Sequence, residues 1–297
     1  MKAVSFSLFG YDRDRQDNCF SHESYVRGLH INIRLHRLLF NGWDIVLNID
    51  EASYNSKYRP IYDWHQSKGF LKINLFPNGE PLCRAMLQRM KTVFMFTHPN
   101  WTYSHVICRD LDSVPTYRER QMVEEWIEED KALHCITDSI SHTIPIMGGM
   151  IGFRPGYVND LMKITTNPPE AFDRLLAMAP DMDFKHKGSD QDFLNHVMYP
   201  KLCTNSTEHF IKGRPHDLVE GNGRHYRVPE KSISDKVNPK FAETNHICGH
   251  VGSSGYYEAQ TMKFLYWEDP YKAEYEEIEN MPGFEQLYYW SKREDLR

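Results

Sequence analysis

Three short apolar runs, AVSFSLFG (3–10), DIVLNID (44–50) and SHVICRDLD (104–112), constrain the fold more than any other feature of the chain. Each is bounded by polar or turn-forming residues and is too short for a buried helix, so each reads as a strand covered on both faces. The segments between them have a different period. In SYVRGLHINIRLHRLLF (24–40), Leu29, Ile33, Leu35, Leu38 and Leu39 recur near helical spacing, and in EPLCRAMLQRMKTVF (80–94) Leu82, Met86, Leu87 and Met90 share a face. Strand and helix therefore alternate. That alternation predicts an α/β fold with a mainly parallel sheet flanked by helices, in which ligands bind beyond the carboxyl ends of the strands.

Beyond the third strand, RERQMVEEWIEEDKAL (118–133) reads as a charged surface helix, and the pattern loosens through HTIPIMGGMIGFRPG (142–156). A helix near 158–166 follows, then a second strong stretch, GSDQDFLNHVMYP (188–200). Residues 204–245 are polar and turn-rich, with few candidate strands. From 256 onward aromatic and acidic residues alternate, which reads as helical segments packed on the main body rather than a domain of their own. The expected organisation is one domain over 1–255 with a helical tail over 256–297.

Charge narrows the function. With 35 Lys and Arg against 41 Asp and Glu, scattered along 297 residues, the chain has no basic stripe of the kind phosphate-backbone binding needs, so nucleic acid is not an expected partner. The first apolar stretch ends at Gly10, too short for a membrane span and without a signal-peptide cleavage pattern. The 6 cysteines (19, 83, 108, 135, 203 and 248) form no CxxC pair and sit mostly in apolar stretches, as reduced thiols do. No transmembrane segment and a cytoplasmic location are expected, and the sequons NWT (100) and NST (205) then read as chance.

Asp-x-Asp triplets occur at Asp12/Asp14, Asp110/Asp112, Asp181/Asp183 and Asp190/Asp192, so the triplet alone says little. Only the Asp110 pair follows a clear apolar strand, where the pleat would send Asp110 and Asp112 to one face and Leu111 into the core. Two carboxylates side by side repel unless a positive charge lies between them, and an oxygen-preferring divalent cation, Mn²⁺ or Mg²⁺, supplies it. The alternative is a strand end whose acids pair with Arg109 and Arg118.

In order, VICRDLDS (106–113), IMGGMIGFRPG (146–156), GSDQDFLNHVMYP (188–200) and HICG (246–249) resemble the motifs of the metal-dependent nucleotide-sugar glycosyltransferases of the GT-A fold, most closely the glycogenin and galactosyltransferase-like group. They are also similar to sugar transferases of bacterial surface-polysaccharide clusters and large DNA viruses. The resemblance implies a Rossmann-like, mixed but mainly parallel sheet, with a donor half at about 1–113 and an acceptor half at 114–255. It implies a nucleoside-diphosphate sugar donor of UDP or GDP type and a glycan or other hydroxyl acceptor. Asp110 and Asp112 become metal ligands, Asp110 also contacting the donor, with His246 as third ligand. Asp190 and Gln191 would face the anomeric carbon, Arg84 the diphosphate, and Phe9, Gly10 and Tyr11 the nucleoside. Gly148 and Gly149 would let the sugar approach the backbone, although a double glycine also suits a bulge.

The chain departs from the group's H-F-x-G-x-x-K-P-W continuation: in HICGHVGSSG, Gly252 stands where a diphosphate-binding lysine would be. Backbone N–H groups of Gly252–Gly255 are then candidate phosphate donors, and His250 an alternative ligand. Asp190 also suits a helix N-cap. Whether the anomer is retained or inverted stays open. Two other classes compete: a haloacid-dehalogenase-like phosphotransferase using Asp110 and Asp112, and a non-catalytic sugar-binding relative.

Overall fold

The three apolar runs form neighbouring parallel strands: β1 (Lys2–Leu8) pairs with β2 (Asp44–Asp50) on one side and with β4 (His105–Arg109) on the other. The computed structural model describes residues 1–12, 21–94, 103–137, 144–164, 168–210, 224–227, 269–285 and 287. Within them, β3 (Lys72–Phe76), β5 (Leu133–Thr137), β6 (Met150–Phe153), β7 (Ser206–Phe210) and β8 (Arg224–Arg227) complete an 8-stranded sheet of order β3-β2-β1-β4-β6-β5-β7-β8. All pairings are parallel except those of β6, which runs antiparallel to both β4 and β5. The fold is α/β, with a mixed, mainly parallel sheet compatible with a Rossmann-like arrangement of GT-A type.

Both faces of the sheet are covered. Alternate residues of β1 divide between them: Val4, Phe6 and Leu8 join one core cluster, while Ser5 and Ser7 turn toward the other layer. On the first face lie α1 (His22–Leu39), α3 (Arg59–Ser67) and α5 (Tyr117–Glu129). Ser21 caps α1, its side chain accepting from the Ser24 N–H. The α5 segment is less of a surface helix than its charges suggest, because Met122, Val123 and Trp126 are buried. On the second face, α4 (Leu82–Leu87), a 3₁₀ segment (Gln88–Phe94), α6 (Pro155–Met162), α7 (Pro168–Leu176) and α8 (Ser189–Phe193) enclose the other large cluster.

The last helix among the described residues, α10 in the order that includes α2 (Glu51–Tyr54) and α9 (Tyr199–Leu202), spans Lys272–Glu279 and buries Tyr275 and Ile278 against the first face. Arg34 of α1, itself buried, pairs with Asp269 and Glu279, and Arg37 donates to the Tyr275 hydroxyl at 2.6 Å. Buried charges need such partners.

Two expectations need correction. The third apolar run stops being strand at Arg109, and Leu111 and Asp112 lie in a turn in which Ser113 Oγ donates to the Asp110 carbonyl at 3.3 Å. Leu111 does enter the core, at 2% exposure, but through the turn and not through a pleat. The polar stretch after 204 contains β7 and β8. Their neighbour β5 and β7 itself bury polar side chains (His134, Thr137, Ser206, Thr207, Glu208 and His209), so neither shows an apolar run. No helix among the described residues is long and apolar enough to cross a membrane.

Candidate active site

At the carboxyl edge of β4, Asp110 forms an ion pair with Arg89, a residue the sequence reading passed over in favour of Arg84. Arg84 instead pairs with Glu80 at 2.8 Å and with Asp173 at 3.1 Å. Arg89 reaches the site because α4 gives way to the 3₁₀ segment after Leu87, and that segment is tied to the sheet by a buried polar network. Ser5 Oγ donates to the Arg89 carbonyl at 2.7 Å and lies 2.7 Å from Thr92 Oγ1, and Asn48 Nδ2 donates to Ser5 Oγ at 3.0 Å. The same strand that supplies the core on one face thus fixes the arginine on the other.

Arg89 also faces Asp190, with Nη2 at 3.8 Å from Oδ2. The Arg89 and Asp190 side chains are 4% and 3% exposed, whereas Asp110 is 43% exposed. Burial works against the Arg89 charge, but Asp110 and then Asp190 outweigh it and hold the guanidinium above its usual range. Burial raises the Asp190 carboxyl, with Arg89 opposing. Among the described residues Asp190 Oδ2 is buried with no hydrogen-bond partner, its nearest counter-charge being Arg89.

Asp190 is not a helix cap. Gly188, at φ 96°, holds the N-cap position of α8, and Asp190 lies inside the first turn. Gln191 beside it is half-buried, and Asp192 is exposed. Gly148 and Gly149 complete the cluster. A Cβ on Gly148 would lie 2.5 Å from Arg89 Nη2 and 3.6 Å from Asp190 Oδ2, and one on Gly149 would fall on the Asp110 carboxyl. A side chain at either position would displace the end of Arg89 or of Asp110, so the glycines let both charged groups lie against the backbone. The Gly149 carbonyl is itself held, accepting from Arg109 Nη1 at 2.8 Å. Arg109, set against the aspartates in the ion-pair alternative, pairs instead with Glu119 at 3.2 Å.

Asn195, in the segment that continues the chain after α8, joins these parts. Its Oδ1 accepts from the Ile146 N–H at 2.8 Å, and its Nδ2 donates to the carbonyls of Ile146 and Gln191, both at 2.8 Å. A single amide therefore clamps the loop before the glycines to the helix bearing Asp190. A π-turn (Leu194–Met198) begins beside it, as is frequent at functional sites. Asn195→Ala is expected to lower stability by about 1–3 kcal/mol through the orphaned Ile146 groups, read as a shift in the denaturation midpoint.

Asp112 is half-buried; burial, then the charge of Asp110, pushes its carboxyl up to about 6. At the end of β1, Phe9 is 9% exposed and packs with Phe76 and Ala85. Gly10, at φ 77°, donates its N–H to Asp50 Oδ2 at 2.9 Å, and the Tyr11 N–H donates to Ser53 Oγ at 3.2 Å. Asp50 Oδ1 accepts from the Ser53 N–H at 2.9 Å, so one carboxylate joins the ends of β1 and β2. Tyr11 is the exposed ring of this edge, at 40%. His246, His250 and Gly252–Gly255 lie outside the described residues.

No protein-family model and no curated protein matches the chain. Among solved structures it is similar to S. aureus TarS 1–349, with a TM-score of 0.37 and 12% identity over 60% of this chain and 54% of that one. The chain thus spans little more than half the length of that structure.

Proposed function

We propose that the chain is a metal-dependent glycosyltransferase that moves a sugar from a nucleoside-diphosphate sugar, of UDP or GDP type, to an acceptor hydroxyl, with a glycan as the acceptor class. The observation that supports this best is the convergence of Asp110, Arg89 and Asp190 on a glycine pair whose bare backbone their side chains approach closely. An anionic, largely buried cluster beside bare backbone, at the carboxyl edge of a mainly parallel sheet, suits a sugar ring approaching from the diphosphate side.

The described residues fit part of a cation site. Asp110 and Asp112 are hard oxygen donors of the kind Mn²⁺ and Mg²⁺ prefer, and burial, followed by the charge of Asp110, raises Asp112. Arg89 engages Asp110 Oδ1, leaving the second oxygen. Among the described residues no group of three or more His, Cys, Asp or Glu side chains is arranged to hold a metal, so a third ligand has to come from elsewhere, His246 being the one the resemblance implies. When bound, the cation would neutralise charge on the diphosphate leaving group. The protein's part is placement: Asp190 and Gln191 beside the reacting carbon, Arg89 fixing Asp110 and Asp190 relative to one another, and the glycines admitting the sugar.

A thermal-shift comparison of UDP and GDP with and without Mn²⁺ tests the reading: stabilisation by a nucleotide only in the presence of metal supports it. Asp112→Asn is expected to abolish that metal-dependent shift while melting within a few degrees of the parent protein, because it removes a ligand charge and leaves no cavity. An unchanged Mn²⁺-dependent shift in the variant would remove Asp112 from the site.

A further inference from the structure

At the edge where Tyr11 stands, its ring packs against two other rings. Tyr11 meets His22 edge-on at 5.2 Å and Tyr58 edge-on at 6.2 Å, and His22 and Tyr58 stack on each other at 5.8 Å. His22 begins α1, and Tyr58 occupies the N-cap position of α3. Tyr58 is 4% exposed and donates its hydroxyl to the Glu23 carboxylate at 3.2 Å, so it is fixed at both ends. Behind it, 6.3 Å away, lies Phe284, just beyond α10. The chain that carries Phe284 is anchored in turn by the grip of Asp269 and Glu279 on Arg34. Residues 269–285 therefore reach this edge of the sheet through the Phe284–Tyr58 ring contact.

We propose that Tyr58, His22 and Phe284 form a second tier that fixes the Tyr11 ring as a platform for the nucleobase, making residues 269–285 a positioning element for nucleotide affinity. The inference rests on Tyr11 being part of the donor site. Its physical basis is geometric: Tyr11 is 40% exposed, and a ring half in water has several orientations open to it unless its edges are packed. The Tyr58 and Tyr11 rings meet at 90°, a T-shaped arrangement that aromatic quadrupoles favour. A ligand that stacks on a ring already oriented loses less freedom on binding than one that must order it. Phe284 acts by keeping Tyr58 from moving back.

The test is a double-mutant cycle on the full chain, with UDP and GDP affinities measured in Mn²⁺ for the parent protein, Tyr11→Ala, Phe284→Ala and the pair. Phe284→Ala is expected to weaken nucleotide binding about two- to tenfold, the range that one aromatic pair supplies, and to have no further effect in the Tyr11→Ala background. Where Phe284→Ala melts before the binding temperature, Phe284→Leu, which keeps volume but loses the ring face, takes its place in the cycle. An equal loss in both backgrounds, or none in either, overturns the inference while leaving the donor reading intact. A parent protein that binds neither nucleotide overturns both.

Discussion

Arg89→Met is expected to destabilise the protein by about 3–5 kcal/mol, more than any other single change at the site, because it leaves the Asp190 carboxylate buried without a counter-charge. Methionine matches much of the arginine's length and avoids a large cavity, so the loss is electrostatic in origin. That origin can be checked directly. Adding Asp190→Asn to Arg89→Met removes the stranded charge, and the double variant should be more stable than Arg89→Met alone, a non-additive result in a cycle read by denaturant unfolding. Arg89→Lys should fall between, keeping the charge but losing the fork that addresses two carboxylates at once. If Arg89→Met unfolds at the parent's midpoint, the ion pair carries no weight in the fold and the site's architecture must be held by other contacts. Nucleotide binding in the folded fraction of Arg89→Lys then reports whether Asp110 keeps its place when the fork is gone.

How much of this was legible in the sequence depended on what buries each part. β1, β2 and β4 were readable because each carries a run of buried apolar residues (Val4, Phe6 and Leu8; Ile45, Val46, Leu47 and Ile49; Val106, Ile107 and Cys108) that outweighs its few buried polar ones, and α1 and α4 because their apolar residues recur at helical spacing. β5 and β7 were not, since His134, Thr137, Ser206 and His209 are buried by mutual hydrogen bonding and stacking, which no hydropathy pattern reports: His134 Nε2 lies 3.0 Å from His209 Nδ1, and His134 stacks on Trp126 at 5.3 Å. Asp110, Asp190 and the two glycines could be singled out because motif order placed them. Arg89 could not, because helical spacing extrapolated through 80–94 ignores the change to a 3₁₀ segment at Gln88, and the tether that orients that segment comes from Ser5, far away in the chain. Asn195 was within a quoted motif, but its role as a clamp exists only once the loop at Ile146 is folded beside it. The cap reading of Asp190 failed for a local reason, since Gly188 at positive φ takes the N-cap position.

Those buried histidines lead to the second large effect, a steep loss of stability in mild acid. Burial holds His30 and His65 well below the usual imidazole range, with Arg34 adding to the first and His30 to the second; burial likewise lowers His134, with His209 adding. His36 falls to about 3 and His105 to about 4, again chiefly through burial. A group whose folded pKa lies below its unfolded one contributes stability that is complete above the unfolded value and is lost as pH falls, since the unfolded chain binds the proton first. Each such histidine therefore costs about 1.4 kcal/mol per pH unit below roughly pH 6.5. The buried carboxyls work the other way. Asp112, at about 6, and Asp190 and Glu279, both raised by burial, penalise folding at neutral pH, and that penalty relaxes as they protonate. Five histidines outnumber three acids, leaving a net loss on the order of a few kcal/mol between pH 7 and 5.5, a large share of the stability of an ordinary domain. The melting temperature should fall by on the order of 10 °C across that interval. His36→Gln, which keeps a donor for the Asn32 carbonyl but cannot protonate, should reduce the acid slope by close to one proton. A melting temperature level from pH 7 to 5.5 would mean that the histidines take up their protons in the folded state, and that the stacked rings of α1, α3 and β5 open to water far more readily than their burial implies.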